Sequence, residues 1–229
     1  MNMITTAHTL SDDSFQDNDV NTRRAAYGGE PNVFTDIYLE NTNIAIWQRQ
    51  LSPTLKRSVD VFLTQHTSFQ TSMTVTPQSA LSSVGLALGG ENQKELSENI
   101  TELVDMFCYL FELKRVGLRL TALDSAMCPK FHVDKVPCRL LTTFHGIATE
   151  WLPHNLVDRN KLGIGAKGKA DSESGLYKHQ TDIQQLSCGD VALLKGERWE
   201  GNEGAGLVHR SPALNEGERR LILTLDFSS

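Results

Sequence analysis

The sequence predicts an α+β protein that is mainly β, an antiparallel sandwich or jelly roll with helices packed outside it. Two observations support this fold class. A strongly amphipathic helical segment lies in the middle of the chain, and after Gly117 the pattern changes to short strands separated by turn signals. Six or more short strands within about 110 residues are typical of a β-sandwich or a jelly roll.

The first 32 residues have little that would join a core. They are rich in Ser, Thr, Asp and Asn, and they end in the chain-breaking sequence Gly28-Gly29-Glu30-Pro31. Such a segment buries too little apolar surface to offset the conformational entropy that it would lose on ordering. We therefore predict a disordered polar tail over residues 1–32, with no part in the core.

Residues 33–116 are predicted to be a helical and short-strand segment that packs on the core. Residues 43–47 resemble a short strand, and Ser52-Pro53 opens a helix because serine can cap a helix and proline suits its first position. The strongest helical pattern covers residues 93–114, where apolar side chains recur at spacings of three and four. Its one-sided apolar stripe indicates packing against a sheet.

Residues 117–229 are predicted to form the jelly-roll domain. Its short strands are expected at residues 118–123, 138–144, 183–186, 191–194, 207–208 and 221–227. Between them, residues 155–182 are polar, contain Gly and Lys, and resemble an insertion loop whose lysines face solvent.

Composition and charge exclude several classes of protein. The 229 residues include 22 basic and 28 acidic side chains, a formal charge of −6, which argues against nucleic acid as a partner. No apolar run approaches the roughly 18 residues of a membrane span, so no membrane association is expected. The N-terminus lacks a secretory signal pattern and the four cysteines are too few for a disulfide scaffold. We expect a cytoplasmic protein with reduced thiols.

The densest group of ligand-type residues runs from Cys128 to Cys138, with the sequence Cys-Pro-Lys-Phe-His-Val-Asp-Lys-Val-Pro-Cys. His132 and Asp134 are two residues apart, so on an extended backbone their side chains point to the same side. An imidazole and a carboxylate placed in this way can converge on one metal ion. The alternative is a structural hydrogen-bonded pair, because buried polar groups need such partners.

A third ligand and an anion-binding arginine are expected from the C-terminal strands. His209 lies in a strand context, and Arg219 follows ten residues later. Two histidines and one carboxylate leave positions open on a metal, which suits non-haem Fe(II). A buried arginine can hold a carboxylate through two parallel hydrogen bonds. Because neighbours on a strand face opposite sides, only one of Arg219 and Arg220 can point inward.

The order His132-x-Asp134, then His209, then Arg219 resembles the pattern of the Fe(II)/2-oxoglutarate-dependent dioxygenases, and Gly189-Asp190 before a short strand agrees with it. The resemblance covers about half of the chain. It implies a double-stranded β-helix (jelly roll, cupin-like) in which the two histidines and the aspartate hold Fe(II). It also implies that Arg219 anchors the co-substrate 2-oxoglutarate and that an unknown substrate, a small molecule or a protein, is hydroxylated.

As a whole, the chain resembles a bacterial family of unknown function, DUF1826, whose members share the segment from Cys128 to Cys138 and the Thr-Glu-Trp that follows it. Association of the family's genes with zinc-responsive loci keeps zinc open as the metal. The alternative function is then a non-catalytic zinc-binding protein for storage, sensing or homeostasis. Its ligands would be Cys128, His132, Asp134 and Cys138, or the same two histidines and aspartate. A cupin-like binding module without a redox metal is a third class.

Several residues are candidates for the pocket or for a secondary role. Cys128 and Cys138 are read as soft zinc ligands, as a redox pair, or as two small buried residues. Glu150 is a candidate for the pocket wall. Trp199 lies in the glycine-rich stretch 196–206, which is either a mobile lid over the metal or a long hairpin connection. Arg220 is the alternative to Arg219.

Overall fold

The computed structural model describes residues 22–90 and 93–228. These residues contain ten strands, which are β1 (Arg24–Gly28), β2 (Thr42–Trp47), β3 (Phe69–Val75), β4 (Val116–Leu123), β5 (Cys138–His145), β6 (Glu150–Leu152), β7 (Gln184–Gln185), β8 (Val191–Lys195), β9 (Val208–Arg210) and β10 (Arg220–Phe227). Four α-helices accompany them: α1 (Pro53–Gln65), α2 (Pro77–Leu88), α3 (Lys94–Leu110) and the single turn α4 (Asp171–Ser174). A 3-10 helix covers Pro31–Tyr38.

The strands form two sheets. The larger sheet has seven strands in the order β1-β2-β8-β5-β10-β4-β3, and the smaller has three in the order β7-β6-β9. All neighbouring strands are antiparallel except β1 and β2, which run parallel. The mainly β, helix-flanked architecture expected from the sequence is therefore present, with a large antiparallel sheet as its main element.

The helices cover one face of the large sheet. Alternate residues of β4, β5, β8 and β10 pack there against the buried faces of α1, α2 and α3, in one continuous core. Local signals fix these helices: at the start of α1, Oγ of Ser52 accepts a hydrogen bond from the backbone N–H of Leu55 at 3.1 Å. The apolar stripe of α3 is buried against this sheet face, as its periodicity predicts.

The small sheet covers the opposite face. Leu141, Ala192 and Leu194 of the large sheet contact Trp151 and Leu207 of the small-sheet layer in a second core. The far side of the small sheet packs against residues from the segment 155–182, which holds only short helical turns and no strand. This layering leaves an open cleft between the sheets, beside the second core.

Two expectations from the sequence need correction. The predicted disordered tail is wrong for Arg24–Gly28, because this segment pairs with β2 and its neighbour Arg23 donates from Nε to Oδ1 of the buried Asn202 at 3.0 Å. Residues 1–21 of that tail lie outside the described residues. The segment 33–116 does not merely pack on the core, since β2 and β3 belong to the large sheet itself. Within the described ranges, no helix has the length and apolar character that crossing a membrane would need.

Candidate metal centre

His132, Asp134 and His209 lie together at the side of the cleft between the sheets, and the two histidines line it. One ligand atom from each residue lies within 4.8 Å of the others. Nε2 of His132 is 3.9 Å from Oδ1 of Asp134, and Nε2 of His209 is 3.4 Å from Oδ2 of the same carboxylate. The structure therefore brings together the three residues that the sequence pattern singles out.

Backbone pairing positions the two histidines. His132 and His209 form an antiparallel bridge, with two N–H···O hydrogen bonds of 3.0 Å, at the free edge of β9. Directly opposed residues of an antiparallel pair project to the same face. Nδ1 of His132 lies 2.9 Å from the carbonyl of Lys130, and Nδ1 of His209 lies 3.2 Å from the carbonyl of Leu207. A proton on each Nδ1 would leave Nε2 free to bind a metal.

Asp134 is fixed by Arg139, whose Nη1 donates to Oδ2 at 2.8 Å. Burial alone would raise the pKa of Asp134, but the hydrogen bond from His209 and the positive charge of Arg139 outweigh it and lower this pKa to about 2. Burial, reinforced by the neighbouring His209, lowers the pKa of His132. At neutral pH the site thus presents an ionised carboxylate and a neutral His132 imidazole, the forms that bind metal ions.

The two arginines at the start of β10 point to opposite faces. The guanidinium of Arg219 points to the helix side, where it donates to the carbonyls of Leu63, His66 and Thr67. The choice of Arg219 as the inward arginine is therefore wrong. Alternation along β10 directs Arg220 into the cleft instead.

Arg220 is a buried cation without a carboxylate partner among the described residues. It is 1% exposed, and its two terminal nitrogens donate only to hydroxyls: Ser211 at 2.8 Å, Thr143 at 3.2 Å and Thr149 at 2.6 Å. Its Nε has no hydrogen-bond partner within residues 22–90 and 93–228. Burial lowers the pKa of the guanidinium to about 10, so it remains charged at neutral pH. A buried charge in this state favours an anionic ligand.

Comparison with known proteins shows the family. The family described as "Protein of unknown function (DUF1826)" matches residues 28–226. The chain belongs to the DUF1826 family. A search of curated proteins finds no match.

This DUF1826 protein is also similar to solved oxygenase structures. A rice dioxygenase for auxin oxidation is 11% identical, with 89% of this chain and 82% of that chain covered and a TM-score of 0.48. A Pseudomonas putida prolyl-4-hydroxylase is 11% identical, with 86% and 96% covered and a TM-score of 0.45. A full-length Neurospora crassa protein in complex with α-ketoglutarate and 5-formyluracil is 9% identical, with 92% and 85% covered and a TM-score of 0.46. These TM-scores all lie below 0.5, and similarity at this level does not assign a function to this chain.

The two cysteines of the DUF1826 segment do not meet at the site. The thiol of Cys138 is fully buried in the core on the helix-covered face of the large sheet, and this burial raises its pKa. Cys128 is exposed and lines the mouth of the cleft. The metal-ligand cluster found among the described residues contains neither cysteine. The predicted zinc site with Cys128 and Cys138 as ligands, and the predicted redox pair, are therefore wrong.

Glu150 and Trp199 also lie away from the cleft. Glu150 accepts a hydrogen bond from Nε of Arg210 at 2.6 Å, in an ion-pair network that includes Asp171 on the outer side of the small sheet. The Trp199 ring packs at 5.5 Å from the ring of Tyr38, on the helix-covered side of the large sheet. Neither side chain is a wall of the pocket, so both predictions were wrong.

The glycine-rich stretch 196–206 supports the metal centre through its backbone. The N–H of Glu197 donates to the carbonyl of Asp134 at 2.9 Å, and the N–H of Arg198 donates to the carbonyl of Val136. A Cβ at Gly196 would lie 2.1 Å from the carbonyl oxygen of Val136, so only glycine fits this approach. The stretch is anchored beneath the metal-binding loop, as a connection rather than a lid.

Proposed function

We propose that this DUF1826 protein is an Fe(II)- and 2-oxoglutarate-dependent oxygenase. One observation carries the proposal: the cluster of His132, Asp134 and His209 opens into the same cleft as the uncompensated guanidinium of Arg220. A structural hydrogen-bonded triad explains the cluster alone, but it gives no reason for a buried arginine that faces the same space without a carboxylate.

The donor set fits Fe(II). Two imidazole nitrogens and one carboxylate on one side of a metal ion are the ligands of non-haem Fe(II) oxygenases, with the remaining positions open. Bound there, Fe(II) supplies the redox chemistry by which O₂ oxidises the substrate while 2-oxoglutarate becomes succinate and CO₂. The chain itself contributes the ligand geometry, set by the bridge between His132 and His209, and a largely apolar cleft that restricts water.

Arg220 suits the far carboxylate of 2-oxoglutarate. Three hydroxyls fix the guanidinium plane, and its Nε is left without a partner. A guanidinium can bind a carboxylate through two parallel hydrogen bonds, and these bonds are stronger where water is excluded. Arg220 would therefore orient the co-substrate with its oxo-acid end towards the two histidines.

The strand connectivity supports a double-stranded β-helix. With the His132 bridge counted as a strand of one residue, the chain from β4 to β10 passes through eight strands. They pair from the outside inwards: β4 with β10, His132 with β9, β5 with β8, and β6 with β7. A long antiparallel hairpin folded in this way into two sheets is a jelly roll.

An anaerobic titration tests the function. Metal-free protein is titrated with Fe(II) and 2-oxoglutarate, and the visible charge-transfer band of an iron-bound 2-oxo acid is recorded. We expect a band in the wild type and none in Asp134→Ala. Because Arg220 supplies the charge for the far carboxylate, Arg220→Gln should weaken 2-oxoglutarate binding by about 10- to 100-fold.

Arg219→Gln is the matched control, since it removes the same charge from the adjacent residue on the opposite face of β10. It should bind 2-oxoglutarate as the wild type does. Absence of the band in the wild type, or equal weakening in the two arginine variants, would contradict the proposed function.

A further inference from the structure

A second group of unpaired polar atoms lies in the cleft, apart from those assigned to metal and co-substrate. Arg119 and Thr121 are two residues apart on β4, so they share one face of the sheet, and both line the cleft. Thr121 is 3% exposed, and its hydroxyl has no hydrogen-bond partner in the described part of the chain. Buried hydroxyls without a partner are costly, which indicates that a ligand satisfies this one.

Arg119 differs from the other arginines that line the cleft in its partners. Four arginines line the cleft, and two of them, Arg139 and Arg210, each contact two carboxylates. Arg220 is assigned to the co-substrate. That leaves Arg119, which is exposed at the edge of the cleft and whose guanidinium makes no hydrogen bond or ion pair with any residue that the structure describes. No Asp or Glu is among the described residues that line the cleft.

Arg119 is separated from the proposed co-substrate site. In the register of β4 and β10, Arg119 lies opposite Thr224, four residues after Arg220. At about 3.3 Å per residue, the two positions are roughly 13 Å apart along the strand. The two backbone positions are therefore well separated along the sheet, which leaves room for Arg119 to bind a second anion beside the one assigned to Arg220.

Apolar side chains line much of the cleft around the two arginines. Leu123, Met127, Leu141 and Ile222 line the cleft there, and its space, with the solvent at its mouth, is about 570 Å³. We infer that the substrate is a small molecule with an apolar body and a carboxylate or phosphate group, and that Arg119 and Thr121 bind this oxyanion. The inference rests on the proposed function for the reaction, whereas the anion site itself can be tested without turnover.

Calorimetric titration of the full chain tests the anion site. The probes are alkanoates from butanoate to decanoate, the alkyl phosphates of the same chain lengths, and the matching neutral alcohols. With Fe(II) and 2-oxoglutarate present under anaerobic conditions, we expect an anionic probe to bind at least about 10-fold more tightly than its alcohol. The better of the carboxylate and phosphate series identifies the oxyanion.

Variants assign the binding to particular residues. Arg119→Gln should weaken the best anionic probe by about 10- to 100-fold, and Thr121→Val should weaken it by about 10-fold, because a charged acceptor loses one hydrogen bond. Arg57→Gln, which removes an exposed charge from α1, should bind the probe as the wild type does. Melting curves confirm that each variant is folded.

Arg220→Gln separates this inference from the proposed function. It should bind 2-oxoglutarate about 10- to 100-fold more weakly and still bind the anionic probe with wild-type affinity. Three results overturn the inference: no probe binds, alcohols bind as tightly as anions, or Arg119→Gln binds the probe with wild-type affinity. If the anionic probe still depends on Arg119 while no charge-transfer band forms with Fe(II), the anion site stands and the oxygenase function fails.

Discussion

Arg139 connects the candidate metal centre to the large sheet. Its Nη1 donates to Asp134, while its Nε and Nη2 donate to the two carboxylate oxygens of Asp226 on β10 at 2.8 and 2.9 Å. Asp226 thus holds the guanidinium in place on β5, and the remaining N–H orients Asp134. Loss of a residue that orients a metal ligand in this way typically lowers metal affinity by about 10- to 100-fold.

Replacement of Arg139 by Met should therefore weaken Fe(II) binding by about 10- to 100-fold. The ligand Asp134 would lose both its fixed orientation and the positive charge that favours its ionised form. Competition with a chromogenic chelator under anaerobic conditions measures the affinity. Arg219→Met, which removes a guanidinium that contacts none of the ligands, is the control. Equal affinity in the wild type and Arg139→Met would show that Asp134 needs no support from Arg139.

Lys195 is a charged residue within the helix-side layer of the protein. It is 2% exposed, its Nζ donates to the carbonyl of Leu39 at 2.9 Å, and it lies 4.9 Å from the centre of the Trp199 ring. Burial, together with the positive charge of Arg23, lowers the pKa of Lys195 from 10.5 to about 8. Between these two values the unfolded chain binds more protons than the native one, so this residue's contribution to the free energy of unfolding rises with pH.

A comparison with Lys195→Met isolates that contribution. From about pH 7.5 to about pH 9.5, the free energy of unfolding of the wild type should increase by about 2 kcal/mol relative to the variant. Urea unfolding of both proteins at the two pH values measures it, and the titration of the tyrosines and cysteines cancels in the difference. A constant difference would mean that Lys195 keeps its ordinary pKa in the native protein.

At the scale of elements, the sequence predicts what local signals encode. The helices α1 and α3 follow from a capping serine with proline and from an apolar period. A similar signal opens α2, where Thr76 is the cap, Pro77 is the first helical residue and Ser79 completes a capping box with Thr76, but the surrounding Ser/Thr-rich composition hid it. β1 was missed because long-range contacts hold it, namely its pairing with β2 and the hydrogen bonds from Arg23 to residues 201 and 202.

The residues of the candidate site also divide into those that local sequence signals predict and those that depend on long-range structure. Residue types and spacing predicted His132, Asp134 and His209 as metal ligands. Imidazoles and carboxylates bind metal ions, and an extended backbone places the side chains of His132 and Asp134 on the same side. Which side each strand residue faces depends on where its strand begins, and spacing alone left this open for Arg219 and Arg220. Alternation along β5 separates Cys138 and Leu140 from Arg139 and Leu141, and it is the signal that would have identified Arg139.

At the scale of the whole molecule, the residues proposed to bind Fe(II) and 2-oxoglutarate come from different parts of the fold. His209 belongs to the small sheet, Arg220 belongs to the large sheet, and Asp134 lies on the connection that leads into β5. Unfolding separates these elements and destroys the site. Binding of Fe(II) and 2-oxoglutarate therefore stabilises the native state as a whole and not one element alone.

Removal of the two ligands should consequently lower the melting temperature. A ligand present at about 100 times its Kd adds about 2.7 kcal/mol to the free energy of unfolding, which for a chain of this size corresponds to about 5–10 °C. Anaerobic scanning calorimetry with and without Fe(II) and 2-oxoglutarate measures the shift. In Asp134→Ala the shift should disappear, and in Arg220→Gln the part that depends on 2-oxoglutarate should fall to about half or less while the part due to Fe(II) remains. A full shift in Asp134→Ala would place the metal elsewhere in the protein, because the cluster loses its single carboxylate ligand in that variant.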